Sequence, residues 1–201
     1  FPASILLRAI GFSSNEDILK SFDLAESVKV SGKKILDRQV LDDIVDPSTG
    51  EVLVEKNTII DSNVIAKLKS LKIDEIYLAS SSKDNEIAVE VMQNTFDKDP
   101  TNSSEEAVLL LYKHLRTGDA PSTDLATKFI EKMFFSTKKY DLGSVGRYRI
   151  NKKFGLKAPI DEPVLTKDDF VEVFKYLISM RNGQNGPDDI DHLGNRRVRT
   201  T

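Results

Sequence analysis

The spacing of the hydrophobic residues changes twice along the 201 residues of this chain. Near the start, "SILLRAIGF" has apolar residues at helical intervals, and helical spacing returns strongly after residue 92, as in "STDLATKFIEKMFF". In between, β-branched and turn-forming residues dominate, as in "VKVSG", "DPSTGE" and "EVLVEKNTII". This pattern predicts an α+β fold in which a helical host domain, residues 1–23 and 93–201, is interrupted by a small β-rich inserted module, residues 24–92.

Polar residues at three positions predict where helices begin. Ser13 and Glu16 are spaced as in a capping box ahead of "DILKSF", and Ser103 and Glu106 are spaced in the same way ahead of "AVLLLYKHLR". Ser62 is expected to cap a short helix within the module. The last helix, "TKDDFVEVFKYLISMRNG", is expected to direct four apolar side chains to one face: Phe170, Val173, Phe174 and Leu177.

The composition excludes several classes of protein. The chain is 39% hydrophobic and 30% charged, which is typical of a well-solvated globular protein, and no apolar run approaches the roughly 20 residues that span a bilayer. The absence of cysteine excludes disulfides and thiolate metal sites, and it favours a cytoplasmic localisation. Because the chain opens "FPASILLRAI" without methionine, we expect it to be a piece of a larger polypeptide whose remainder is its main partner.

A basic stretch lies within this acidic protein. Residues 138–157, "KKYDLGSVGRYRINKKFGLK", carry seven bases and one acid. Its cations alternate with apolar residues, which predicts a strand or hairpin with one basic face. The candidates for phosphate contacts are Arg147, Arg149, Lys152 and Lys153. A solvated charged face is the alternative interpretation of the same residues.

The segment "DDIDHLGNRRVR", residues 188–199, concentrates charge near the end of the chain. Its carboxylates and His192 could ligate a metal, but His114, the only other histidine, lies in a predicted apolar helix, and three arginines would compete for the carboxylates. The chain also lacks a Gly-x-Ser-x-Gly elbow and a phosphate-binding Gly-x-x-x-x-Gly-Lys loop. We therefore predict no metal site and no catalytic residue. A nucleic-acid contact and an internal Asp–Arg network are the alternatives that remain.

Four segments, in order, resemble the lobe (β2) domain of the bacterial RNA polymerase β subunit. They are "FPASILLRAIGFSSNEDIL", "KDPTNSSEEAVLLLYKHLRTGDAPSTDLATKFIEKMFF", "YDLGSVGRYRINKKFGL" and "DDIDHLGNRRVR". The β-rich segment falls where this subunit carries a lineage-variable insert. The resemblance therefore identifies the chain as a fragment of the β subunit of DNA-directed RNA polymerase, a nucleotidyltransferase.

The resemblance implies a noncatalytic lobe that lines the DNA channel and contacts downstream duplex DNA and the nontemplate strand. The implied alternative is a scaffold that docks sigma or regulatory factors without direct base contact. The implied partners are DNA, the remainder of the β subunit, the β′ subunit, the α dimer, ω and a sigma factor, with no membrane. No cofactor is implied for this segment, since magnesium is expected in the partner large subunit.

The resemblance also implies the residues that contact the nontemplate strand. Ile190, Asp191 and Arg196 match residues that help form a pocket for a flipped guanine. A carboxylate can accept hydrogen bonds from guanine N1–H and N2–H₂, while an arginine and an apolar side chain steady the base. With Arg147, Arg149 and Lys152 they form the predicted nucleic-acid-binding set.

Overall fold

The computed structural model describes residues 1–30, 35–41, 43–46, 50–56, 58–71, 73–116, 122–189 and 191. Within these ranges it contains eight α-helices and four short strands, which confirms the predicted α+β class. The helices are α1 (Ala3–Ala9), α2 (Asn15–Ser21), α3 (Ser62–Ser70), α4 (Glu86–Asp97), α5 (Ser104–Leu115), α6 (Thr123–Phe134), α7 (Gly143–Phe154) and α8 (Lys167–Arg181). The strands are β1 (Ala25–Lys29), β2 (Ile44–Val45), β3 (Val52–Val54) and β4 (Glu75–Ala79). None of the described helices combines the length and apolar character needed to cross a membrane.

The strands form two small antiparallel sheets. β1 pairs with β4, with Ala25 opposite Ala79 and Lys29 opposite Glu75, and β2 pairs with β3. Alternation along β4 buries Ile76 and Leu78. These side chains belong to a cluster, here called the insert cluster: Val28, Val30, Ile35, Val40, Val54, Ile60, Leu68, Ile76 and Leu78.

Two further hydrophobic clusters hold the helices together. The central cluster comprises Leu7, Ile10, Ile18, Leu19, Phe22, Leu24, Leu41, Met92 and Val171. The α5–α6 cluster comprises Ile5, Ala107, Val108, Leu111, Ala126 and Ile130. Helix α1 supplies residues to both clusters, so it joins helices α5 and α6 to the central cluster.

The β-rich segment is tied to the helices by hydrogen bonds. The Asn15 side-chain amide donates to the Leu41 carbonyl at 3.0 Å, and the Lys56 ammonium donates to the Asn102 side-chain oxygen at 2.7 Å. The predicted division into residues 1–23 and 93–201 against 24–92 remains a prediction. Its boundary at residue 92 lies inside α4, a helix that the sequence analysis did not identify and that contributes Met92 to the central cluster.

Two of the three capping residues predicted from the sequence differ from those in the structure. Helix α2 begins with a capping box between Ser14 and Asp17, one residue later than predicted, and α3 is capped by Asp61 instead of Ser62. Ser103 caps α5 as predicted, accepting from the Glu106 N–H. Serine and aspartate both cap helices well, so capping propensity does not distinguish between neighbouring residues such as Asp61 and Ser62. The packing of the helix decides which of them becomes the cap.

The buried face of α8 is also partly different from the predicted one. Phe170 and Phe174 pack on the central cluster as expected, but Val171 is the buried apolar residue of the helix. Val173 and Leu177 are exposed, so the prediction is wrong for these two residues. The helix ends as predicted before Gly183, whose φ of 71° is readily adopted only by glycine.

Candidate nucleic-acid interface

The basic stretch forms a helix, α7, and the predicted strand or hairpin is wrong. At its start the Asp141 carboxylate accepts from the Gly143 N–H at 2.7 Å, and at its end Gly155 adopts the left-handed conformation that terminates helices. The Asn151 side chain donates to the Ala158 carbonyl at 2.6 Å and fixes the chain after the helix. Over a few residues, alternation of charged and apolar side chains is compatible with the period of a strand and with the period of a helix. The packing of Arg147 decides in favour of the helix.

Arg147 is the most buried residue of α7, with no solvent-exposed surface. Its Nη1 lies 2.8 Å from each carboxylate oxygen of Asp169, and its remaining guanidinium nitrogens donate to the carbonyls of Val164 and Glu162. Since all three guanidinium nitrogens are bonded inside the fold, Arg147 cannot reach a phosphate here. The predicted nucleic-acid contact of Arg147 is therefore corrected to a structural role, in which it joins α7 to the start of α8.

The opposite face of α7 is directed to solvent. Val145 and Tyr148 are each about half exposed, and Arg149 and Lys152 are exposed. Residues three and four apart lie side by side on a helix, so these four form one stripe, here called the outer stripe. It places an aromatic ring beside two cations, both of which belong to the predicted set.

Lys153 lies at the edge of this stripe and turns towards the segment after α8. Its Nζ donates to the Asp188 carboxylate at 2.5 Å and lies 4.3 Å from the centre of the Tyr176 ring. The Phe154 ring meets the same Tyr176 ring edge-on, with centroids 5.9 Å apart. The structure therefore brings the basic helix and the beginning of the 188–199 segment together, which the sequence analysis did not predict.

Only the first part of that segment lies within the described residues. Asp188, Asp189 and Asp191 are exposed, and the Asp191 N–H donates to the Asp189 carboxylate at 2.9 Å. Ile190 and Arg196 lie outside the described residues, as does His192. The guanine pocket predicted for Ile190, Asp191 and Arg196 therefore remains a prediction. Among the residues that the structure describes, no group of three or more histidine, cysteine or acidic side chains is arranged to hold a metal.

A second buried ion pair links distant parts of the fold. Arg8 Nε lies 3.1 Å from Asp99, and its other nitrogens donate to the Ser13 carbonyl at 2.8 Å and to the Asn15 side chain at 2.5 Å. Burial by itself would raise the pKa of Asp99, but hydrogen bonds from Thr101 and the Arg8 guanidinium hold that pKa below its ordinary value. No sequence pattern indicated this pair, since its partners are 91 residues apart.

The chain belongs to the family described as RNA polymerase Rpb2, domain 2, whose model matches residues 56–199. The match covers α4 to α8, the outer stripe and the 188–199 segment. It begins within the predicted insert.

Bacterial relatives agree with this family. The chain is 45% identical to the DNA-directed RNA polymerase subunit beta of Bacteroides thetaiotaomicron and 43% identical to that of Flavobacterium psychrophilum. Each comparison covers 99% of this chain and 17% of the relative. The chain thus spans about a sixth of the length of the curated relatives it matches, in agreement with the resemblance found in the sequence.

Proposed function

We propose that this chain is the lobe of a bacterial DNA-directed RNA polymerase β subunit. In this proposal it is a noncatalytic part of a cytoplasmic nucleotidyltransferase that lines the DNA channel and contacts downstream duplex DNA and the nontemplate strand. Its partners are the remainder of the β subunit, the β′ subunit, the α dimer, ω and a sigma factor. Magnesium belongs to the partner large subunit. Membership in the Rpb2 domain 2 family, together with the outer stripe of α7, carries the proposal.

The outer stripe has the chemistry of a phosphate contact. Arg149 and Lys152 lie one helical turn apart and are exposed, and helix α7 that carries them is held against α8 by the buried Arg147–Asp169 pair. Cations on a rigid helix displace counterions from DNA without first being ordered. Tyr148 adds a ring on which an unpaired base can stack.

In the same proposal the 188–199 segment contacts a base of the nontemplate strand. The Asp191 carboxylate accepts hydrogen bonds from the Watson–Crick edge of a guanine, and Ile190 and Arg196 steady the ring. The exposure of Asp191 is compatible with this role, since the carboxylate is accessible to a ligand.

The proposal is tested in polymerase reconstituted with the full-length β subunit that carries these residues. Replacing both Arg149 and Lys152 by alanine should weaken binding of downstream DNA, and it should make the dependence of log K on log salt shallower by about 1–2, at roughly 0.9 per phosphate contact. The matched control replaces Lys67 and Lys69, two exposed lysines of α3, and should leave the slope unchanged.

An unchanged salt slope in the Arg149 and Lys152 variant would contradict the DNA contact. If binding of sigma or a regulatory factor fell instead, the scaffold function would be the better assignment. The assay therefore separates the two functions with one pair of variants.

A further inference from the structure

The residues after α8 fold back over the end of α7. The Tyr176 hydroxyl donates to the Gly186 carbonyl at 2.8 Å, and the Asn185 side chain donates to the Ser179 hydroxyl at 2.7 Å. The Gln184 N–H also donates to the Ser179 carbonyl at 3.0 Å. These contacts return the chain along α8, so that Asp188 arrives beside α7.

Two side chains hold Asp188 in that place. Lys153 reaches it through the 2.5 Å ion pair, and the ammonium at the same time lies against the Tyr176 ring. Tyr176 therefore holds the segment twice, through its hydroxyl to Gly186 and through its ring to Lys153. Lys153 and Tyr176 are here called the anchor.

The two helices that carry the anchor residues are fixed relative to each other. Helix α7 is held to α8 by Arg147 and Asp169, whose side chains are almost completely buried. Lys153 lies less than two turns further along the same helix, and Tyr176 lies about two turns along α8 from Asp169. Both anchor residues therefore extend from elements whose relative position is set by the buried pair.

Because the anchor holds Asp188, it also limits the positions that Asp191 can occupy. Three residues of extended chain reach at most about 10–11 Å, so Asp191 must lie within that distance of the anchored position. Without the anchor this limit would be set from Asn185, whose side chain contacts Ser179, and the six residues from there to Asp191 reach about twice as far. An exposed ion pair adds little to stability, so the anchor is better explained by positioning than by holding the fold.

We propose that Lys153 and Tyr176 are positioning residues that orient Asp191 for contact with a nontemplate-strand base. This inference rests on the proposed function, because it assigns the support of the same base-contacting segment. The inference also assigns different roles to the cationic residues of α7. Arg147 fixes the helix, Arg149 and Lys152 meet phosphates, and Lys153 places the base contact.

The experiment uses polymerase reconstituted with the full-length β subunit and two DNA templates that differ only in guanine or adenine at the contacted nontemplate position. The measured quantity is the ratio of complex lifetimes on the two templates. Lys153→Met removes the ion pair and Tyr176→Phe removes the hydrogen bond to Gly186. Each should lower this ratio by about two- to fivefold, in the range of one exposed ion pair or hydrogen bond. Lys153→Arg should retain the ratio, because it keeps the charge and the ring contact.

Two further variants separate positioning from other roles. Exchanging the charges, Lys153→Asp together with Asp188→Lys, should restore the part of the ratio that depends on the ion pair but not the part that depends on the ring contact with Tyr176. The matched control, Lys157→Met, removes an exposed lysine of the same basic stretch and should leave the ratio unchanged.

The outcomes distinguish the inference from the proposed function. If Asp191→Ala lowers the ratio and Lys153→Met does not, the anchor is overturned and the base contact stands. If Asp191→Ala leaves the ratio unchanged, the base contact fails and the anchor has nothing to position. If Lys153→Met weakens both templates equally and makes the salt slope shallower by about one, Lys153 is a phosphate contact and the inference is overturned.

Discussion

The buried pair between Arg147 and Asp169 provides the sharpest test of the structure. Arg147→Met keeps an unbranched apolar side chain at this position and removes the guanidinium group with its charge. The variant loses both hydrogen bonds to Asp169 and those to the carbonyls of Val164 and Glu162. The Asp169 carboxylate stays buried and keeps the hydrogen bonds from the backbone N–H and the hydroxyl of Thr166.

The expected loss of unfolding free energy is about 3–5 kcal/mol, the usual effect of leaving one partner of a buried pair without its counter-charge. With a urea dependence of roughly 2–3 kcal/mol/M, the midpoint should fall by about 1–2.5 M. Adding Asp169→Leu should recover part of the loss, because an apolar pair avoids the uncompensated charge. It should not recover all of it, since Asp169 also completes the capping box of α8.

The assay is urea unfolding of the 201-residue chain followed by circular dichroism. Arg149→Met is the matched control, as it makes the same change two residues away at an exposed position, and it should cost less than about 1 kcal/mol. Equal losses from the two variants would refute the reasoning. The Arg147 side chain would then be accessible to solvent, and the original prediction that it contacts DNA would regain support.

Three further predictions concern stability. Asp99→Asn should flatten the acid limb of the stability profile. The lowered pKa of Asp99 contributes stability that is present above about pH 4 and is lost as the pH falls through the folded-state pKa. Urea midpoints of wild type and variant that fall in parallel from pH 6 downwards would contradict this prediction. Thr166→Ala should cost about 1 kcal/mol by removing the α8 cap, and an unchanged urea midpoint would argue against the box. Ile18→Ala should cost about 2–5 kcal/mol in the central cluster, whereas Leu125→Ala on the exposed face of α6 should cost less than about 0.5 kcal/mol; similar losses would contradict the assigned burial.

The comparison of Arg147 with Arg149 shows where prediction from sequence ends. Both are arginines in the same basic stretch, and the sequence assigned them the same role. One is buried and the other exposed, because Asp169 lies against only one face of α7. That partner is 22 residues away, so no local pattern could distinguish the two.

Helices α4 and α7 show a related effect. "EIAVEV" is a short apolar run with two glutamates, and in "GRYRIN" charged and apolar residues alternate. Over so few residues either pattern is compatible with a strand or a helix. Contacts made elsewhere decide the outcome. Met92 enters the central cluster from α4, and Arg147 pairs with α8 from α7.

The sequence by itself determined the α+β class, the position of most helices and the family. These depend on hydrophobic spacing, on caps such as Ser103 and on motifs such as "DDIDHLGNRRVR", all of which are local in the chain. Only the tertiary structure decided which cations are buried, which face α8 presents, and that Lys153 meets Asp188. The physical reason is that burial and ion pairing depend on partners brought together by folding, and the net charge of a segment does not specify them.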